Sequence, residues 1–189
     1  MKIGLYFGSF NPIHIGHLII ANYLAYNSDL DKVWLVVSPQ NPLKPASALL
    51  NEYDRLHLVE LAIQDEPRLR ASNIEFSLPK PSFTIDTLTY LGEKYPMQEF
   101  GVIMGSDSFE NLPRWKNYQQ ILEHYSLYIY QRPGHEIKDN PGENITWIEA
   151  PFLNISSTRL RQMIRDKKSI RFLVPDRVAD YIQANMYYR

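Results

Sequence analysis

The 189 residues suit one domain, 1–189, with a well-buried core, and the net charge of −1 lacks the basic excess of a nucleic-acid binder. Zero cysteines exclude disulfides, thiolate catalysis and sulfur metal sites. No apolar run approaches the roughly 20 residues that span a bilayer and no long signal core follows Lys2, so a soluble, cytoplasmic protein without membrane partners is expected.

Apolar, β-branched or aromatic runs at 3–7, 33–37, 69–76, 100–104, 127–130 and 145–148 read as strands, the third being mixed in polarity. Segments of helical period lie between most of them, at 17–26, 54–63 and 84–95. After the last strand, 156–165 and 175–186 read as helices, the second with Pro175 at its first position. Strands alternating with helices predict an α/β fold: a doubly wound parallel sheet of five to six strands, helices on both faces, and C-terminal helices. Pro-rich stretches at 38–45 and 78–82 follow or flank strands, where such sheets carry their ligand loops.

The stretch Gly8-Ser9-Phe10-Asn11-Pro12-Ile13-His14-Ile15-Gly16-His17 joins the first strand to the first helix. A helix N-terminus has unpaired N–H groups and a partial positive charge, and two imidazoles on its first turn add donors, so the stretch suits a nucleotide phosphate. For a histidine pair alone, a tight βα turn with one packed and one exposed ring is the simpler reading. Gly8, Pro12 and Gly16 in register behind a strand favour the phosphate site. Zinc wants three or four ligands, and with no Cys and three other His no metal site is read here. A second element, Ile155-Ser156-Ser157-Thr158-Arg159-Leu160-Arg161, opens a helix with three hydroxyls followed by a guanidinium. By itself it is an ordinary Ser/Thr cap; it also offers N–H groups, hydroxyls and a cation to one oligophosphate.

The first stretch resembles the G-x-F-x-P-x-H-x-G-H signature of the nucleotidyltransferase superfamily. The second is similar to that superfamily's I-S-S-T-x-x-R element, at Ser156, Ser157, Thr158 and Arg161. In the middle, Pro81-Ser82-Phe83-Thr84-Ile85-Asp86-Thr87-Leu88 resembles the P-S-[YF]-T-x-D-T-L segment of bacterial nicotinate mononucleotide adenylyltransferases. Gly105-Ser106-Asp107 with Leu112-Pro113-Arg114-Trp115-Lys116 resembles their G-x-D…L-x-x-W stretch. Asn41-Pro42-Leu43-Lys44-Pro45, Asp54-Arg55, Gln131-Arg132-Pro133-Gly134 and the ending 174–182 also fit, so the resemblance covers essentially the full length.

This resemblance implies a Rossmann-like fold and transfer of an adenylyl group from ATP to nicotinate mononucleotide, giving nicotinate adenine dinucleotide and pyrophosphate. It places ATP on Gly8, Ser9, Phe10, His14, His17, Asp107, Ser156, Ser157, Thr158 and Arg161, with His14, His17 and Arg161 catalytic. It places the mononucleotide on Asn11, Lys44, Thr84, Trp115, Lys116 and Arg132. Trp115 would stack on the ring, N–H groups near Thr84 and Lys116 would hold its carboxylate, and Asp107 would bond the ribose. Lys44 and Arg55 would neutralise phosphate, and Mg²⁺ would be bound through phosphate oxygens and water. Ser9 and Asn11 stand where bacterial members commonly carry Thr and Asp, which leaves the choice between acid and amide acceptors open. The alternatives are an enzyme of the same fold acting on the amide or on phosphopantetheine, and a nucleotide-sensing module without turnover. Thirteen tyrosines leave a homo-oligomer open.

Overall fold

The computed structural model describes residues 1–40, 49–132, 134–135, 144–151 and 153–189. Six strands, β1 (Lys2–Gly8), β2 (Lys32–Val37), β3 (Leu69–Ser72), β4 (Glu99–Gly105), β5 (Ser126–Tyr130) and β6 (Ile145–Ile148), pair in the order β3-β2-β1-β4-β5-β6. Every pairing is parallel. Parallel strands need crossovers, and those leading up to β5 carry α1 (Ile15–Asn27), α2 (Glu52–Ile63), α3 (Thr84–Lys94), α4 (Ser106–Glu110) and α5 (Tyr118–His124). The chain finishes with α6 (Ser157–Arg165) and α7 (Asp176–Ala184).

Because both faces of the sheet are covered, the central strands are apolar on both sides rather than alternating. On one face Leu24, Leu58, Val59, Leu160 and Val178 pack onto Val33, Leu35 and Ile103. On the other, Leu88, Leu91 and Ile121 pack onto Leu5, Val36, Val102 and Leu127. Each such side chain contributes about 1.5–3 kcal/mol by leaving water, so the sheet is held from both sides.

The order reverses between β1 and β4. From β1 the chain moves outward through β2 to β3; from β4 it moves the other way through β5 to β6. The loops leaving the C-terminal ends of β1 and β4 therefore part, and the crevice between them is the ligand position of open α/β sheets. The loops it holds are 8–17 and 105–107.

Several boundaries differ from expectation for local reasons. The strand expected at 69–76 stops at Ser72, whose Oγ accepts from the Ile74 N–H (3.4 Å) and starts a 3-10 turn, Ile74–Ser77. The segment 106–124 carries α4, a 3-10 turn (Leu112–Arg114) and α5, each too short to show a helical period. Helix α1 starts at Ile15 because His14 caps it, and α2 at Glu52 because Asn51 caps it through Oδ1 and the Tyr53 N–H (2.9 Å). Pro175 is the N-cap of α7 rather than its first residue.

Candidate active site

From Gly8 the chain turns into α1 through Phe10, whose φ of 43° is rare for a bulky residue. Its ring, 2% exposed, lies edge-on to Tyr6 and to His17, and this packing holds the strained backbone in place. His14 is the N-cap of α1 and His17 its third residue. The Nδ1 of each accepts from the backbone N–H of the other, both at 3.3 Å: a capping box built from imidazoles. The rings stack at 3.6 Å and 19°. With Nδ1 accepting, a neutral ring carries its proton on Nε2, so each histidine is an Nε2–H donor. Burial, helped by the positive charge of Arg132, pulls the His14 pKa down to about 4, and the ring is neutral at physiological pH. Gly16 makes room for this stack, since a Cβ there would sit 3.1 Å from His14 Nδ1.

Helix α6 docks onto the same loop. Ser156 caps it by accepting from the Arg159 N–H (3.2 Å). Ser157 Oγ donates to the Pro12 carbonyl (2.9 Å), and Arg161 Nη1 donates to the Asn11 carbonyl (2.7 Å). Arg161 Nη2 also donates to Thr158 Oγ1 (3.2 Å). Two sequence elements some 145 residues apart thus form one surface, rich in N–H, hydroxyl and guanidinium donors.

The surface is one wall of a cavity of about 600 Å³ that runs along the crevice to the first turn of α3. There Thr84 is the first helical residue, and the N-cap is Phe83, which offers no side-chain acceptor. Trp115 lines the cavity while packing against the core of that face. Lys116 Nζ donates to both Asp86 oxygens (2.8 and 2.9 Å) and lies 5.1 Å from the Phe83 ring centre.

Beside β4, Asp107 is the second residue of α4, with Gly105 as its N-cap. Arg132 Nη1 donates to Asp107 Oδ2 (3.3 Å) and Nη2 to the Tyr130 hydroxyl (3.0 Å), which lies 3.2 Å from that of Tyr6. Asp107 Oδ1 and Arg132 Nε are buried without a partner among the described residues. Both face the space over Gly105, where a Cβ would come within 2.5 and 2.9 Å of them. They leave a buried acceptor and a buried donor unsatisfied beside each other at the edge of the cavity.

Gly8, Ser9, Phe10, Asn11, His14, His17, Thr84, Asp107, Trp115, Lys116, Arg132, Ser156, Ser157, Thr158 and Arg161 all line this cavity. Lys44 lies outside the described residues. Arg55 requires a correction. It is fully buried and donates to the carbonyls of Leu50 (2.8 Å), Ser9 (2.6 Å), Ser38 (2.8 Å) and Pro39 (3.2 Å). Its guanidinium is spent on fastening the loops after β1 and β2 and is not presented to phosphate. Sequence reasoning missed Tyr6, Glu75, Arg114 and Tyr130 as cavity residues. Of these, only Glu75 carries a signal: an acid between Ile74 and Phe76 in an otherwise apolar run. Among the described residues, no three His, Asp or Glu side chains gather to hold a metal, and no helix is long and apolar enough to cross a membrane.

A sheet whose switch point brings the starts of α1, α3 and α6 to one cavity suits a pair of phosphate-bearing substrates, as in enzymes that move a nucleotidyl group. Residues 5–163 match the family described as Cytidylyltransferase-like, and the chain belongs to that family. A Cytophaga hutchinsonii protein named a probable nicotinate-nucleotide adenylyltransferase is 52% identical, over 100% of this chain and 98% of its own. One of the same name from Flavobacterium psychrophilum is also 52% identical, over 100% of both. Among solved structures, Plasmodium falciparum nicotinic acid mononucleotide adenylyltransferase complexed with NaAD superposes with a TM-score of 0.84. It covers 99% of this chain and 97% of that one at 20% identity, a likeness of fold.

Proposed function

We propose that this protein, acting as one domain, transfers the adenylyl group of ATP to nicotinate mononucleotide, forming nicotinate adenine dinucleotide and pyrophosphate in NAD biosynthesis. The observation that carries the reading is the cavity itself. Its phosphate end is the joint between the His14/His17 loop and α6, and its far end is walled by Thr84, Trp115 and Lys116. Relatives that share half of this chain's residues carry the name of that activity.

The acceptor phosphate is an anion at neutral pH, so the reaction needs no base; it needs alignment with the α-phosphorus and donors for the charge that shifts onto phosphoryl oxygens. His14 and His17 supply two Nε2–H donors from one rigid stack. Being neutral, His14 gives its hydrogen bond without a charge to desolvate. Arg161, with Ser156, Ser157 and Thr158, takes the β- and γ-phosphates and the departing pyrophosphate. Gly8, Ser9 and Phe10 shape the ATP side, and the unpartnered Asp107 Oδ1 accepts a ribose hydroxyl. On the acceptor side Trp115 gives the pyridine ring an aromatic face. The backbone N–H groups of Thr84 and Lys116 hold the ring carboxylate, since the Lys116 ammonium is already engaged by Asp86. Asn11, Lys44 and Arg132 complete the mononucleotide side. A divalent cation, Mg²⁺ in this reading, would be carried by phosphate oxygens and water, and it supplies charge neutralisation at the leaving group. A cytoplasmic location belongs to the same proposal.

Pyrophosphate release from ATP and Mg²⁺, with nicotinate mononucleotide, its amide and phosphopantetheine offered separately, tests the reading. Fast release with the acid and much slower release with the others is expected. No release with any acceptor, from folded protein that binds ATP, overturns it in favour of a nucleotide sensor.

A further inference from the structure

Glu75 is the only acidic side chain buried among the described residues, 2% exposed, in the turn after β3. Its Oε2 accepts from Ser82 Oγ (2.8 Å) and its Oε1 from Thr87 Oγ1 (3.0 Å). Both hydroxyls are themselves buried, at 7% and 0% exposure. A carboxylate in such a place is costly: burial pushes its pKa up, against the opposing pull of the Ser82, Ser38 and Thr87 hydroxyls. An apolar residue of similar size packs there at less cost, so stability alone does not account for an acid.

What the carboxylate grips is informative. Ser82 lies just before the N-cap Phe83, and Thr87 lies on the first turn of α3, so the two contacts hold that turn from both sides. Phe83 brings no capping side chain. The amides of Asp86 and Thr87 turn back onto the Phe83 carbonyl (3.0 and 3.2 Å), while those of Thr84 and Ile85, at the helix start, have no intrahelical acceptor by position. The turn is thus left open towards the cavity that Glu75, Ser82, Phe83 and Thr84 line together.

We propose that Glu75 is a positioning residue of the acceptor subsite: by clamping Ser82 and Thr87 it fixes the first turn of α3, so that N–H groups there meet the ring carboxylate, and it thereby sets acceptor affinity and acid-over-amide choice. The proposal rests on the adenylyl-transfer function above. It separates Glu75 from the ATP side of the cavity, which the α1 and α6 contacts build without it.

Steady-state kinetics of Glu75→Ala, Glu75→Gln, Ser82→Ala and Thr87→Val, with both mononucleotides and ATP varied in turn, test it. Glu75→Ala should raise KM for nicotinate mononucleotide on the order of 10- to 100-fold with KM for ATP within about twofold, and lower the acid-to-amide ratio of kcat/KM. Glu75→Gln keeps the shape and one acceptor oxygen and should recover most of the loss. Glu75→Ala combined with Thr87→Val should be no worse than Glu75→Ala, because both undo one clamp. If Glu75→Ala fails to fold, Ser82→Ala and Thr87→Val carry the test, each expected to raise the acceptor KM several-fold. Equal rises in both KM values, or an unchanged acid-to-amide ratio, overturn the proposal. Wild-type protein that turns over nicotinate mononucleotide normally while the variants match it also overturns the clamp and leaves the function standing. Wild-type protein inactive with that acceptor removes both.

Discussion

Acidification should cost this protein more stability than its carboxylates require, because of one imidazole. His14 is held neutral by burial, with a pKa of about 4 in the folded chain. In the unfolded chain the ring is solvated and titrates near 6.5. Between those values the unfolded state binds a proton that the folded state refuses, so stability is fully present above about pH 6.5 and drains away as the pH falls towards about 4. The gap is worth about 3 kcal/mol in full, and about 2 kcal/mol between roughly pH 7.5 and pH 5. Urea titrations at those two pH values, on wild type and on His14→Gln, isolate the term: the glutamine does not titrate but keeps an oxygen for the His17 N–H. Wild type should lose about 2 kcal/mol more than the variant on acidification. Equal losses would refute the reasoning and mean that the ring accepts a proton where it sits.

His17→Ala should lower kcat by a factor on the order of 10²–10³ with the fold retained, as expected for one lost phosphoryl donor. Pyrophosphate release and circular dichroism read the two halves of that statement, and a folded variant with near wild-type kcat takes His17 out of its role. On the proposed function Arg161→Ala should lower kcat/KM for ATP on the order of 10²-fold, through loss of a charge-assisted contact to the triphosphate and of the tie to the Asn11 carbonyl. A loss of under about twofold in the same assay would place the triphosphate elsewhere. Arg55→Met should destabilise by about 3 kcal/mol or more, since four carbonyls lose their donor inside the protein. An unchanged thermal midpoint would contradict that assignment.

What was legible in the sequence was local. The sheet is parallel and covered on both faces, so its central strands are apolar throughout and stand out as runs. Residues 8–17 hold the whole first motif within ten positions, and Ser156–Arg161 holds the second within six. The strand at 69–76 was over-read because Ile74 and Phe76 continue an apolar pattern in which the intervening acid turns inward. Helices α4 and α5 were invisible because a helix of two turns or fewer has no period to detect. Arg55 is misjudged because its partners come from several separate loops. Nothing near Arg55 in sequence distinguishes a buried guanidinium from a solvated one, whereas Glu75 meets Ser82 and Thr87 only 7 and 12 residues on. The cap position of α3 falls on Phe83, one residue before Thr84, and no side chain there marks it.

The bonds from Ser157 to Pro12 and from Arg161 to Asn11 have a consequence for the life of the chain before it is complete. During synthesis the first βα turn emerges some 145 residues before the α6 side chains that bond it. A nascent chain that has not reached residue 157 therefore carries the His14/His17 loop without the side chains that bond the Pro12 and Asn11 carbonyls. Those bonds arrive with α6, whose Leu160 joins Val178 and Ile182 of α7 in the core against the sheet. On the proposed function, a chain whose translation stops short of α6 lacks Ser157 and Arg161 and with them the triphosphate end of its site.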